Sequence, residues 1–137
     1  MDISVKDSGK AAVILKGGVF ARSTEAAESG YTWTAGVSAY NRGGELTLES
    51  EGPITAEDHH DYGVGLNFHI EPPEESDPVP THSVALINGD LSGTTLGIRA
   101  SNSLPGGQME ILVNGAVAGE DCISCEGTER DKILFTL

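Results

Sequence analysis

Residues 62–70, Tyr-Gly-Val-Gly-Leu-Asn-Phe-His-Ile, decide the fold class of this chain. Large apolar side chains stand at every second position, with glycine, asparagine and histidine between them. Alternate side chains of a β-strand point to opposite faces, so one face is apolar and the other is small or polar. A helix would instead mix Gly65 with Leu66 on one side. The stretch therefore predicts a half-buried strand against which the rest of the core packs.

The same period of two recurs along the chain, with turn residues between the segments. Tyr31 to Tyr40 and 45–49 flank Asn-Arg-Gly-Gly and predict a hairpin with a four-residue loop. Asn114-Gly115 fits a two-residue type I′ hairpin turn. Residues 50–61 and 119–131 are polar and indicate connections. The predicted strands are 11–15, 31–40, 45–49, 62–70, 82–87, 94–100, 109–113, 116–118 and 132–137.

This pattern predicts an all-β fold, with about eight or nine short strands and no run of helices. We expect a single-domain antiparallel β-sandwich or jelly roll. No segment repeats at a fixed length, which disfavours solenoids and propellers. The 137 residues fit one domain, spanning 11–137 after an N-terminal arm at 1–10. Residues 23–29 fit either a short helix or a loop.

Charge limits the classes of partner. The chain has 8 basic and 21 acidic residues, a formal net charge of -13. Such a surface repels phosphate, so we expect no nucleic-acid binding. No apolar run approaches the ~20 residues needed to cross a bilayer, so no membrane insertion is expected. No signal peptide is visible at the first residues, and localisation stays open, with a virion or extracellular setting favoured.

The densest group of metal-capable side chains lies in one polar connection. Adjacent histidines on a strand point apart, so one ion could bind both only from a bent loop. Carboxylates suit calcium and imidazoles suit zinc, while the competing interpretation is a solvated acidic loop. We expect no cofactor, with calcium left open and zinc disfavoured. The residues are Glu57, Asp58, His59, His60 and Asp61.

Cys122 and Cys125 form a single CxxC. The alternatives are a disulfide, a pair of free thiols, a redox pair or half of a zinc site. Acidic neighbours disfavour a thiolate, and no second CxxC supplies further zinc ligands. A disulfide or free thiols are therefore favoured.

Residues 71–81 contain four prolines and four acids and predict an extended surface loop. Long loops in compact domains are often binding loops. In the predicted sandwich, this loop and 50–61 could meet at one end. The candidate binding residues are Glu71, Glu74, Glu75 and Asp77.

No G-x-S-x-G, P-loop or H-E-x-x-H motif is present. We therefore expect a non-enzymatic structural or assembly module: a self-associating subunit, or a decoration or fibre protein of a virion or surface filament. The expected partners are further copies of the chain or a larger protein assembly. The alternatives are a carbohydrate-binding module, calcium-dependent in one version, an acidic surface that docks a basic protein, and a hydrolase with scattered carboxylates or a small zinc site. A lectin-like surface is weakened because most aromatic residues fall on apolar faces, namely Tyr31, Trp33, Tyr62 and Phe68.

Overall fold

Fourteen β-strands build the part of the chain that the computed structural model describes, residues 1–24, 33–74 and 77–137. Each strand pairs in parallel with the strand three elements further along the chain. Three successive strands thus form one coil, and successive coils stack on one another. The architecture is a parallel β-helix, a form of solenoid.

A complete coil contributes one strand to each of three sheets, and the last coil contributes one strand to sheet A and one to sheet B. Sheet A consists of β1 (Asp2–Val5), β4 (Trp33–Asn41), β7 (Tyr62–Ile70), β10 (Leu96–Asn102) and β13 (Asp121–Glu126). Sheet B consists of β2 (Gly9–Leu15), β5 (Gly44–Ser50), β8 (Thr81–Ile87), β11 (Gln108–Val113) and β14 (Ile133–Thr136). Sheet C consists of β3 (Val19–Ser23), β6 (Ile54–Asp58), β9 (Leu91–Gly93) and β12 (Val117–Ala118). A single 3₁₀ turn, Arg130–Lys132, precedes β14 among the described residues.

The all-β class is confirmed, but the antiparallel β-sandwich or jelly roll is wrong, because the three sheets are parallel throughout. The argument against a solenoid is wrong as well. The predicted hairpin turns do not fold a strand back on its predecessor. Residues 42–43 lead from β4 in sheet A to β5 in sheet B, and 114–116 lead from β11 in sheet B to β12 in sheet C. Residues 1–10, the expected arm, contain β1 and the start of β2.

Glycine explains how the turns stack. The connection from sheet B to sheet C has three residues in every coil, 16–18, 51–53, 88–90 and 114–116, and its middle residue is always glycine. In the last three of these turns, a Cβ atom on that glycine would lie within 2.7 Å of the backbone of a neighbouring turn. Only a residue without a side chain permits this approach.

The core is lined by all three sheets, including Ile54 and Leu91 of sheet C, and large and small side chains alternate within it. Phe68 is fully buried and is paired with Ala39 on one side and Ala100 on the other. In sheet B, Leu48 and Ile111 flank Ala85 in the same manner. Large side chains therefore pack against small ones from one coil to the next.

The strands of sheet A change direction at glycine. The paired residues run from Ala35 and Val64 to Val37 and Leu66, skipping Gly36 and Gly65. A Cβ atom on Gly36 would lie 2.6 Å from Cγ2 of Ile54 in sheet C, while Val37 belongs to the interior cluster. Gly36 and the residue after it therefore both face inward, which breaks the alternation.

The break divides the apolar face predicted for residues 62–70. Leu66, Phe68 and Ile70 belong to the interior cluster, whereas Val64 is buried but lies outside it. We infer that the side chains of Tyr62 and Val64 point away from the interior cluster, although Val64 is 0% exposed. The strand itself is confirmed with its predicted bounds.

Candidate functional site

The predicted metal-binding group forms a turn. Glu57 lies on β6 and its carboxylate pairs with Arg22 at 2.6 Å. Asp58 is buried and accepts hydrogen bonds from the Thr34 hydroxyl at 2.8 Å and from the backbone N–H groups of His60 and Asp61 at 3.0 and 2.9 Å. His59 is exposed, as are His60 and Asp61. Within the described ranges, no three His, Cys, Asp or Glu side chains lie close enough together to hold a metal ion.

Cys122 and Cys125 are both free and exposed on β13. Burial raises the pKa of the Cys125 thiol, and Glu126 adds to this, while Arg130 opposes it. The Cys125 thiol lies 3.8 Å from the backbone carbonyl of Arg130. The environment therefore favours the protonated form of Cys125.

The acidic loop is joined to the body by an arginine. Arg42 pairs with Glu71 at 3.1 Å and with Glu74 at 3.0 Å. Asp77 is exposed, and Glu75 lies outside the described residues. Residues 59–61 precede β7 and residues 71–80 follow it, and this nine-residue strand separates them by roughly 27 Å. The two candidate binding loops thus flank β7 and do not come together.

Among the described residues, the first and last strands of each sheet are paired on one side only. β1, β2 and β3 form the edge at one end, and β12, β13 and β14 form the edge at the other, with one strand from each sheet. No α-helix covers either edge in the part of the chain that the structure describes. Each edge therefore presents backbone groups in the arrangement that pairs coils inside the stack.

The inward side chains of these ends are incompletely covered. One column of sheet B runs through Val13, Leu48, Ala85, Ile111 and Phe135. Its three middle members are 0% exposed, whereas its two outer members are only half-buried. The side chains of this column are therefore fully buried in the three middle coils and partly exposed to solvent in the first and last coils.

Large apolar side chains on the outer surface are concentrated in the same two coils. Of the described residues, six such side chains are exposed, and Trp33 alone of these lies outside the terminal coils. The others are Met1, Ile14, Phe20, Leu134 and Leu137.

Charge also differs between the ends. Residues 1–24 contain four basic and two acidic residues, a net of +2, although the whole chain has a net charge of -13. Residues 114–137 contain two basic and five acidic residues, a net of -3. On the first coil, Lys10 pairs with Glu45 at 2.9 Å, and Lys16 pairs with Glu51. The hydrogen bond to Glu51 raises the pKa of Lys16.

A second feature lies on the outer surface of sheet A. Trp33 stacks on Tyr62, with ring centroids 5.3 Å apart and planes inclined by 28°. The guanidinium of Arg99 lies 5.3 Å from the centroid of the Trp33 ring and also forms a two-pronged ion pair with Glu126, at 3.1 and 2.9 Å. That pair lowers the pKa of Glu126 and raises the pKa of Arg99.

A second aromatic pair lies beyond the bend. Tyr40 stacks on His69 at 5.1 Å, and Asn67 donates to the Tyr40 hydroxyl at 3.1 Å. Nε2 of His69 lies 2.6 Å from Oδ1 of Asn67. Burial lowers the pKa of His69, Arg99 lowers it further, and Glu71 and Glu126 oppose the shift. These residues were not identified from the sequence as a site.

Within residues 1–24, 33–74 and 77–137, no helix has the length and apolar character needed to span a membrane. Comparisons with protein-family models, with curated proteins and with solved structures found no match.

Proposed function

We propose that this protein is a non-enzymatic assembly module whose copies stack head to tail through the first and last coils of the β-helix. The observation that supports this most strongly is the sheet B column, whose side chains are buried in the middle coils but only half-buried at Val13 and Phe135. Terminal coils of a solenoid need a polar cap or a partner to be soluble, because their apolar interior is otherwise exposed to water. An unpaired strand edge is also a template for another strand.

A second copy is the occupant that fits this edge. Continuing the register of sheet B across the junction would place Ile133 against Ala11 and Phe135 against Val13 of the next copy. Each contact joins a larger side chain to a smaller one, as in the core. β13 and β14 would pair with β1 and β2 of the next copy, so sheets A and B would continue, whereas sheet C would lack one strand at the junction because β12 lies one coil earlier.

The charges of the two ends also favour a head-to-tail arrangement of the copies. The basic first coil of one copy would meet the acidic last coil of the next, and opposite charges steer association. Two identical ends would bring like charges together. The interface is therefore heterologous, and a heterologous contact that does not close into a ring produces a linear fibre. A subunit of a fibre or of a surface filament would have these properties.

Two variants with opposite defects test the proposal. Val13→Lys places a charge at one end and Phe135→Lys places one at the other. Light scattering coupled to size-exclusion chromatography should show concentration-dependent assembly of the unmodified chain and monomers for each variant alone. An equimolar mixture should form a dimer and nothing larger, because only one intact end remains on each molecule.

Leu134→Lys is the matched control, because Leu134 is exposed on the same strand but stands one residue away from the inward position. It should assemble normally. Circular dichroism and a melting curve establish that each variant is folded. A strictly monomeric unmodified chain, or self-association of Val13→Lys alone, would overturn the head-to-tail arrangement.

A further inference from the structure

We propose that the outer face of sheet A binds a neutral carbohydrate chain. The surface in question, here the sheet A face, consists of Trp33, Tyr40, Tyr62, Arg99 and Glu126, and the buried side chains of Asn67 and His69 contact Tyr40. It lies along the side of the β-helix, and it does not depend on the proposed stacking of the ends.

An aromatic platform is available on this face. Trp33 is 39% exposed although it belongs to a central region of the fold and is stacked on Tyr62. β1 begins to pair with β4 at Ser38, so that strand does not extend over Trp33. The part of the indole ring that Tyr62 and Arg99 leave exposed offers apolar surface to the C–H face of a sugar ring, at a geometry that these two contacts fix.

Polar groups beside the platform are held in place. Asn67 is 1% exposed and is fixed by its bonds to Tyr40 and His69. The Arg99 guanidinium is held by Glu126 while it lies over the indole ring. The Tyr40 phenol, the Arg99 guanidinium and the Glu126 carboxylate remain partly exposed and supply both donors and acceptors, which is what the hydroxyl groups of a sugar require. Ligand sites commonly combine an aromatic surface with a few such fixed polar groups.

Charge selects a neutral ligand. The one guanidinium of the face is balanced by Glu126, and burial and Arg99 lower the pKa of His69, which disfavours its charged form. The remaining surface is strongly acidic, and it would repel a polyanionic glycan.

The dimensions favour an oligosaccharide over a single sugar. Trp33 and Tyr40 lie on β4, His69 on β7, Arg99 on β10 and Glu126 on β13. These four adjacent strands span three strand spacings, roughly 14 Å. A chain of sugars can contact the aromatic platform and the Arg99–Glu126 pair together.

Trp33 is the single tryptophan of the chain, so its fluorescence reports directly on this face. The probes are neutral hexasaccharides of glucose, mannose and N-acetylglucosamine, with an oligogalacturonate as the anionic comparison. A saturable change in emission is expected for at least one neutral probe, with a dissociation constant at or below the millimolar range, and no change for the anionic one.

Calorimetry with the best probe then compares two aromatic truncations. Trp33→Ala should weaken binding about tenfold or more. Phe20→Ala should leave binding unchanged, because Phe20 lies on sheet C, away from the sheet A face. It is a matched control, because Phe20 is also an exposed aromatic ring beside an arginine, with Arg22 at 5.0 Å. Val13→Lys should bind equally well, which separates this site from the assembly interface.

Three results would overturn the proposal: no saturable signal with any neutral probe up to about 10 mM, undiminished binding by Trp33→Ala, or a preference for the anionic oligosaccharide. Failure of end-to-end assembly would leave these outcomes unaffected.

Discussion

A Cβ atom placed on Gly52 would lie 2.9 Å from the carbonyl carbon of Gly17, which occupies the same position one coil earlier. It would also lie 2.7 Å from the backbone nitrogen of Gly18. Gly17 itself has open space around its Cβ position, since it lies in the first of the described coils. The same turn is therefore crowded inside the stack and free at its end.

Gly52→Ala should lower the free energy of unfolding by about 1–3 kcal/mol, because the methyl group meets backbone atoms that cannot move aside. Gly17→Ala should leave it within about 0.5 kcal/mol, or raise it slightly through the unfolded chain. Urea unfolding of both variants at low protein concentration measures the difference. Equal stability of the two variants would contradict the stacked turns.

Thr34→Val should destabilise the fold by about 1–3 kcal/mol, because it removes the hydroxyl that donates to the buried Asp58 carboxylate. Thr47→Val is the matched control, since Thr47 is exposed on β5. It should change stability by less than about 0.5 kcal/mol. Thermal melting of the two variants checks this, and a loss of similar size in both would refute the role of the hydrogen bond.

Stability should decline as the pH falls from about 7 toward 5, in part because of His69. Its pKa in the folded protein is lowered by burial and by Arg99, with Glu71 and Glu126 opposing. The unfolded chain therefore binds a proton near pH 6.5 while the folded chain does not, and the free energy of unfolding falls. Urea unfolding at pH 7.5 and 5.5 should show a smaller loss for His69→Gln. An identical loss in both proteins would exclude this contribution.

Cys122 and Cys125 should remain free thiols in the native protein under air. Residues three apart on a strand point to opposite faces, with Cα atoms separated by roughly 10 Å, whereas a disulfide requires less than about 7 Å. Alkylation without reductant, followed by intact mass measurement, should add two labels. Cys125 should react slowly, because burial raises its pKa. A native protein that accepts no label would contradict the free state of the pair.

The alternation of large and small side chains along the sequence predicted where strands occur, but not whether they pair in parallel or antiparallel. Residues 62–70 were located correctly because large and small side chains alternate there. The period of two is the same in parallel and antiparallel sheets, so it carries no information about direction. Ile54–Asp58 and Asp121–Glu126 were interpreted as connections because their sequences are polar. They are strands because adjacent coils supply their pairing partners.

A repeat was present in the sequence, but its spacing is uneven. Glycine is followed two residues later by an aliphatic residue in every turn from sheet B to sheet C. These glycines, Gly17, Gly52, Gly89 and Gly115, are separated by 35, 37 and 26 residues. A search for a constant period misses them, whereas a search for the short motif would have found them.

The sheet A face could not be predicted from alternation alone. Trp33 and Tyr62 were assigned to the core because they share the parity of Val37 and Leu66. The bend at Gly36 and Gly65 reverses that parity, and its cause is the approach of sheet C, a tertiary contact. The signal available in the sequence is a repeated aliphatic-Gly-aliphatic-polar tetrad at 35–38, 64–67 and 96–99.

The unequal connections around sheet A have an evolutionary consequence. The segment between sheets A and B is 42–43 after β4 but 71–80 after β7, yet the strands on either side stay in register. The longer connection between sheets A and B therefore leaves the stacking of the β-helix strands unchanged. The sequences of these connections could thus change independently of the strands. Related chains would differ most in the connections between sheets A and B and least at the glycine turns between sheets B and C.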